Sequence, residues 1–238
     1  MLGHPDAFRR AGGLVQPSSE EMLTVTTSTA SSDHRVRAVA SERRVARLRC
    51  AAVVRIGFGL VWAIDASFKW LPGFIHGQTL GDELGQGAAV RTPGVHQWIQ
   101  MWHIVATAAP GAFALGTALT ETCIAAGLVF GVVSNAVFVG SALYSLGIWS
   151  SAEAFGLPWT APGITDLGPA VAYAFASLAL FCAQAGAAWS VDARLRPKLG
   201  RLAWVASPTV EELLTGSDTS PRLRERASGG CDAGVGRG

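Results

Sequence analysis

Apolar residues are concentrated in the middle of the chain, between about residues 50 and 190, and both ends are polar. In this region four segments are apolar around their whole circumference rather than along one face, which is typical of helices that cross a bilayer. They cover residues 50–68, 109–131, 134–150 and 168–189. The pattern predicts an all-α fold, an integral membrane four-helix bundle.

Residues 95–108 have a different pattern. One face of this segment is apolar, and the other carries His96, Gln100 and His103 at helical spacing. A helix that is apolar on one side only is suited to lying in the plane of the membrane surface. We therefore expect an additional interfacial helix between the first and second spans.

The sequence at the two ends of the chain predicts no packed structure. The run TVTTSTASSD is polar and has no aromatic residue, as is typical of disorder. The predicted organisation is a disordered N-terminal tail over residues 1–45, a membrane domain over residues 46–192, and a basic, mostly disordered C-terminal tail over residues 193–238.

Composition and charge agree with a membrane protein and argue against nucleic-acid binding. Only 15% of the residues are charged, against about 25% in soluble domains, and the net charge is +2. The basic residues form two clusters that flank the first and last spans: Arg43, Arg44, Arg47, Arg49, and Arg194, Arg196, Lys198, Arg201. Because cytoplasmic flanks are enriched in Lys and Arg, both termini are expected in the cytoplasm.

Two charged residues lie inside the apolar spans, Arg55 in the first and Glu121 in the second. A charge near the bilayer centre costs roughly 2.5 to 3.5 kcal/mol. Counting helical residues places the two side chains roughly 8 and 15 Å from the inner membrane edge, which predicts that they pair. Such a pair either locks the bundle or lines a polar cavity for a quinone head group or a small anion.

Further polar residues are predicted at the outer face. Lys69, His76, His96, His103 and Asp166 could surround a small solute, or they could form a solvated surface. An ion pair between Asp65 and Lys69 is expected from their i, i+4 spacing. Asp166 is as suited to capping the fourth helix as to binding a substrate.

Sequence motifs of soluble enzymes and metal sites are missing. The chain has no Walker A loop, no GxSxG and no CxxC pair, and its histidines do not have metal-ligand spacing. No metal is therefore expected. The four cysteines, at positions 50, 123, 182 and 231, are expected to be free thiols.

Three of the spans resemble a known family. The first reads RIGFGLVWAIDASFKWLPGF, the second contains ALTETCIAAGLVFGVVSNAV, and the fourth opens with TAPGITDLGPAVAYAFASLAL. These segments resemble the DoxX/DoxD group of four-helix bacterial membrane proteins over about residues 48–190. The resemblance implies a plasma-membrane subunit of a thiosulfate:quinone oxidoreductase, which takes electrons from thiosulfate and reduces a membrane quinone.

The first hypothesis is therefore a subunit of a quinone-linked redox system that oxidises a small sulfur compound such as thiosulfate. Arg55 and Glu121 would be catalytic, binding a quinone carbonyl or relaying its protons, and Lys69, His103 and Asp166 would bind the substrate. The quinone would be a co-substrate, no bound cofactor is assigned, and the partners would be the lipid bilayer and a second redox subunit.

A second hypothesis is a membrane scaffold without enzymatic activity, which docks a redox or stress-response partner. In that case Arg55 and Glu121 only hold the helices together. A small-solute transporter is a third possibility, but four spans without a visible inverted repeat argue against it.

Overall fold

The structure is a computed structural model that describes residues 19–76, 79, 84, 90–156 and 167–216, with side chains from residue 35 onward. All regular structure in these ranges is helical, and they contain no β-strand. The α-helices are α1 Ser19–Lys69, α2 Pro72–Ile75, α3 Val95–Ala108, α4 Pro110–Phe130, α5 Ser134–Ser151, α6 Pro169–Cys182, α7 Asp192–Leu199 and α8 Val210–Thr215. The all-α class predicted from the sequence is confirmed.

The chain divides into two compact units, residues 1–44 and residues 45–238. The described part of the first unit is the N-terminal portion of α1, which begins at Ser19. This differs from the disordered tail expected over residues 1–45. The reason lies in the sequence, since no Gly or Pro occurs between Pro17 and Gly57 to interrupt a helix.

Four helices of the second unit share one apolar core. Its largest cluster joins Trp62 of α1, Leu128 of α4, Phe138 of α5 and Leu180 of α6. The half-buried ring of Tyr173 lies edge-on to Trp62, with their centroids 5.4 Å apart. The four helices that share this core coincide with the four apolar segments of the sequence, although their bounds differ.

Small side chains bring the core helices close together. Gly59 of α1 lies directly against α4, because a Cβ atom there would come within 2.8 Å of the Val129 backbone nitrogen. Between α5 and α6, Ser141 donates a 2.8 Å hydrogen bond to the Ser177 hydroxyl, and both residues are fully buried. Such contacts allow apolar helices to associate through packing and polar bonds.

The last predicted span is shorter than expected. α6 ends at Cys182, and the chain then turns through residues 183–191, where Gln184 and Trp189 have positive φ. Gly186 lies in this turn against Ser134 and Ser207, and a side chain there would overlap both. The small residues of the AQAGAAW segment therefore favour a compact turn over the last helical turns of a span.

The segment after this turn is partly helical as far as residue 216, within the basic, mostly disordered C-terminal tail expected over residues 193–238. α8 begins with a capping box, in which the Thr209 hydroxyl accepts from the Glu212 amide and the Glu212 carboxylate accepts from the Thr209 amide. Arg196 of α7 pairs with Glu212 at 3.4 Å. The T-x-x-E pattern is a known start signal for a helix, and it predicts α8.

Two described helices are long and apolar enough to cross a membrane: the part of α1 from Arg35 to Lys69, and α4. α6 is apolar but has only 14 residues. The predicted helix at residues 95–108 is present as α3. It buries Ile99 and Ala106 and leaves Ile104 and Val105 exposed.

The close contact at Gly59 gives a test of the packing. Gly59→Ala should lower the free energy of unfolding by about 1 to 3 kcal/mol, because the added methyl group meets backbone atoms of α4 that cannot move aside. Unfolding of the purified protein in detergent micelles would measure the loss. Gly57→Ala is the control, since nothing lies within 4 Å of a Cβ atom there. Equal stability of the two variants would contradict the packing of α1 on α4.

Candidate functional site

Arg55 is fully buried where α4 turns into α5. Its Nη2 donates a 2.8 Å hydrogen bond to the carbonyl oxygen of Trp189. Its Nη1 lies so close to Gly131 that no side chain fits at that position, and Gly131 itself has a positive φ of 65°. Nε and Nη1 have no hydrogen-bond partner in the described part of the chain. Arg55 of α1 therefore lies against the α4–α5 turn and the turn after α6.

Asp192 is the second buried charge at this end of the core, and sequence reasoning missed it. It is fully buried, and its Oδ2 accepts hydrogen bonds of 2.9 Å from the backbone amides of Ser134 and Ser207. Ser134 is the first residue of α5, where the partial positive charge of the helix end favours a carboxylate. Asp192 also attracts the guanidinium of Arg55 electrostatically.

A sequence signal for Asp192 does exist. It is the only acidic residue between positions 183 and 207, a stretch that contains four basic residues. A single acid within a basic flank is a candidate partner for a buried cation. We call Arg55, Gly131, Ser134, Trp189 and Asp192 the basic-end cluster, because the arginine-rich segments lie at this end.

Arg55 does not pair with Glu121, so the predicted ion pair is wrong. Arg55 lies beside Gly131, whereas Glu121 is ten residues earlier on α4, about 15 Å along the helix axis. The depth estimate failed because it counted from an assumed helix start at residue 50. The contact of Gly59 with Leu128 and Val129 sets the actual register of α1 on α4.

Glu121 is instead part of a polar site toward the other end of the core. Only 1% of its surface is exposed, and its Oε1 accepts a 3.2 Å hydrogen bond from the Tyr144 hydroxyl. Glu121 lies on the wall of two cavities that adjoin one another. Both cavities also include Lys69, Ile148 and Ala152. Glu121 and Lys69 are thus the charged residues at their boundary.

The first of these, which we call the polar cavity, has a volume of about 390 Å³. Its charged residues are Asp65, Lys69, Glu121 and Glu153. Trp62 and Ser145 also line it, and the Trp62 Nε1 and the Ser145 Oγ are buried without a hydrogen-bond partner among the described residues. The remaining lining residues are Ile148, Ala152, Pro169, Ala170 and Tyr173.

The second, which we call the aromatic cavity, has a volume of about 430 Å³. Its walls are mainly apolar and include the rings of Phe74, Trp102, Phe113 and Tyr144. The Trp102 Nε1 is buried, and no described atom accepts a hydrogen bond from it. Buried donors of this kind are uncommon in native structures.

The residues predicted at the outer face are only partly brought together. Lys69 lines both cavities, and its Nζ lies 4.8 Å from the centre of the Phe74 ring rather than in an ion pair with Asp65. His103 is half-buried on α3 and lines neither cavity. The Nδ1 of His96 lies 2.9 Å from the carbonyl oxygen of Val90. Asp166 is outside the described residues.

The remaining candidate residues, the possible metal ligands and the cysteines, form no further site among the described residues. In the part of the chain that the structure describes, no three His, Cys, Asp or Glu side chains are grouped to hold a metal ion. Cys50, Cys123 and Cys182 are exposed free thiols, as expected, and Cys231 lies outside the described residues.

Comparisons with protein-family models, curated proteins and solved structures find no match to this chain.

The basic-end cluster predicts energetic coupling between Arg55 and Asp192. Arg55→Met and Asp192→Asn should each lower the free energy of unfolding by about 1 to 3 kcal/mol, because each weakens buried hydrogen bonds to the backbone and removes one of two buried charges that attract one another. The double variant should lose about 1 to 3 kcal/mol less than the sum. Unfolding in detergent would measure all three. As a control, Arg55→Met and Glu121→Gln should be additive, and strong coupling in that pair would contradict the separation of the two charges.

Proposed function

We propose that this chain is an integral membrane protein in which α1, α4, α5 and α6 cross the bilayer. Two of these helices are long and apolar enough to do so, and the other two pack on the same core. Large apolar side chains are exposed on these helices, for example Ile64, Leu143 and Phe175. Extensive exposed apolar surface of this kind suits contact with lipid.

The proposed orientation places both termini in the cytoplasm of a bacterial cell. Arg47, Arg49 and the basic residues from Arg194 to Arg201 lie at the end of the core that holds Arg55, whereas the cavities lie toward the other end. Because Lys and Arg accumulate on the cytoplasmic side, the cavities would lie in the outer half of the membrane.

Cysteine labelling tests this topology. In a variant that keeps Cys231 alone, a membrane-impermeant maleimide should label the protein in lysed cells and not in intact spheroplasts. A variant in which Gln86→Cys supplies the single cysteine should be labelled in both. The reverse pattern would show that the orientation is inverted, and labelling of both cysteines in intact spheroplasts would contradict the proposed arrangement of spans.

We further propose that the protein is a quinone-binding subunit of a redox system that oxidises a small sulfur compound such as thiosulfate. The observation that carries this proposal is the position of Glu121, which lines both the polar and the aromatic cavity and accepts a hydrogen bond from Tyr144 of the aromatic cavity. A quinone has a flat ring with two carbonyl acceptors and an apolar tail. The buried donors on Trp62, Ser145 and Trp102 suit those acceptors, and the aromatic walls suit the ring or tail.

The chemistry assigned to this chain is binding and proton delivery. Reduction of a quinone to a quinol needs two electrons and two protons. Tyr144 and Glu121 form a hydrogen-bonded pair that can pass a proton toward a quinone oxygen. The electrons would come from the sulfur compound through a second redox subunit. The resemblance of the spans to the DoxX/DoxD group supports the same assignment.

Glu121→Gln tests the proton role. The variant should fold and still bind quinone, because an amide is the same size as a carboxylate and can still accept the Tyr144 hydrogen bond. Thiosulfate-dependent quinone reduction by the assembled complex should fall by about 10² to 10⁴-fold, the usual contribution of general acid–base catalysis. Glu211→Gln on the exposed face of α8 is the matched control and should retain full activity. Unchanged turnover in the Glu121 variant would remove Glu121 from the mechanism.

A second candidate function is a scaffold that docks a redox or stress-response partner. It is favoured by the buried position of Arg55, which bonds to a backbone carbonyl and contacts neither cavity. Leu202 and Trp204 are exposed on the 3₁₀ segment Gly200–Val205 and offer an apolar contact. Co-purification of a soluble partner that is lost on Trp204→Ser, without quinone binding, would favour the scaffold.

A further inference from the structure

The charges around the polar cavity are unequal. Three carboxylates line it, from Asp65, Glu121 and Glu153, and Lys69 is the one basic side chain on the described wall.

A separate observation indicates what kind of group the cavity receives. Trp62 is 1% exposed and Ser145 is fully buried. Both residues line the polar cavity, and each has a polar side-chain atom without a hydrogen-bond partner among the described residues. The indole N–H can only donate. A ligand that satisfies it must therefore present an acceptor, such as a carbonyl oxygen.

An acceptor can be neutral or anionic, and the carboxylates decide between these. An anion in the polar cavity would lie beside three carboxyl groups, each of which repels it when ionised. Lys69 offsets part of it, but its ammonium group lies over the Phe74 ring at the boundary with the aromatic cavity. An uncharged carbonyl can use the same donors without this repulsion.

We infer that the paired cavities select a ligand with an uncharged, hydrogen-bond-accepting head and exclude anions of the same size and shape. This inference rests on the proposed function and deepens it. The quinone binds in this chain, whereas an anionic sulfur compound such as thiosulfate is bound and oxidised on the second subunit. Lys69 therefore orients an uncharged head and does not capture the anion.

Two anthraquinones test the inference, because they are nearly equal in shape and differ in charge. Anthraquinone-2-sulfonamide is neutral and anthraquinone-2-sulfonate is an anion. Binding to the full-length protein in mild detergent would be followed by quenching of tryptophan fluorescence and by the rise in melting temperature. The sulfonamide should bind, and the sulfonate should bind at least roughly tenfold more weakly.

Variants at the cavity wall show whether the discrimination comes from these carboxylates. Asp65→Asn should reduce the ratio of the two affinities, because the charge of Asp65 is removed. Lys69→Gln should increase the ratio. Glu211→Gln on α8, far from both cavities in sequence and exposed, should leave it unchanged. Each ratio compares two ligands on the same variant, so a general loss of stability cancels.

The possible outcomes separate this inference from the proposed function. Equal or tighter binding of the sulfonate would overturn the charge selectivity and leave the quinone site intact. Displacement of the sulfonamide by millimolar thiosulfate would also overturn the inference. If neither anthraquinone binds, the proposed quinone site itself is wrong. A sulfonate that binds weakly to the unmodified protein and more tightly to the Asp65→Asn variant supports the inference.

Discussion

The arrangement of this protein depends on the two hydrogen bonds that Asp192 accepts from the amides of Ser134 and Ser207. One carboxylate thereby joins the start of α5, the turn after α6 and the segment that leads to α8. Arg55 connects α1 to the turn after α6 through its hydrogen bond to the Trp189 carbonyl oxygen. A buried carboxylate without such partners costs several kcal/mol. The burial of Asp192 therefore depends on these two hydrogen bonds.

The helices are fixed at the basic end of the core, and this allows the polar cavity and the aromatic cavity at the opposite end. The core between the two ends is apolar and closely packed, with Trp62, Leu128 and Phe138 almost completely buried. Beyond Trp62 the wall residues become charged or aromatic, and the cavities open around Glu121. The molecule thus separates the buried charges of Arg55 and Asp192 from the carboxyl groups that line the cavities.

Much of the fold could be predicted from the sequence, because continuous apolar segments mark α4 and α5 to within a residue or two. The start of α1 and the end of α6 could not. No helix breaker marks the place in α1 where the apolar segment begins. α6 ends in a turn that depends on how Gly186 packs against Ser134 and Ser207. Glu121 and Lys69 were identified from their positions in or beside apolar spans. The role of Asp192 and the pairing of the two cavities depend on helix register, which spacing along one helix does not reveal.

The contact at Gly59 limits the insertions and deletions that α1 can accept. α1 carries Arg55 on one side of this glycine and Trp62, Asp65 and Lys69 on the other. An inserted or deleted residue between Arg55 and Trp62 would rotate the two parts of α1 by about 100° relative to one another. The length of this short segment is therefore under stronger constraint than the identity of most of its residues.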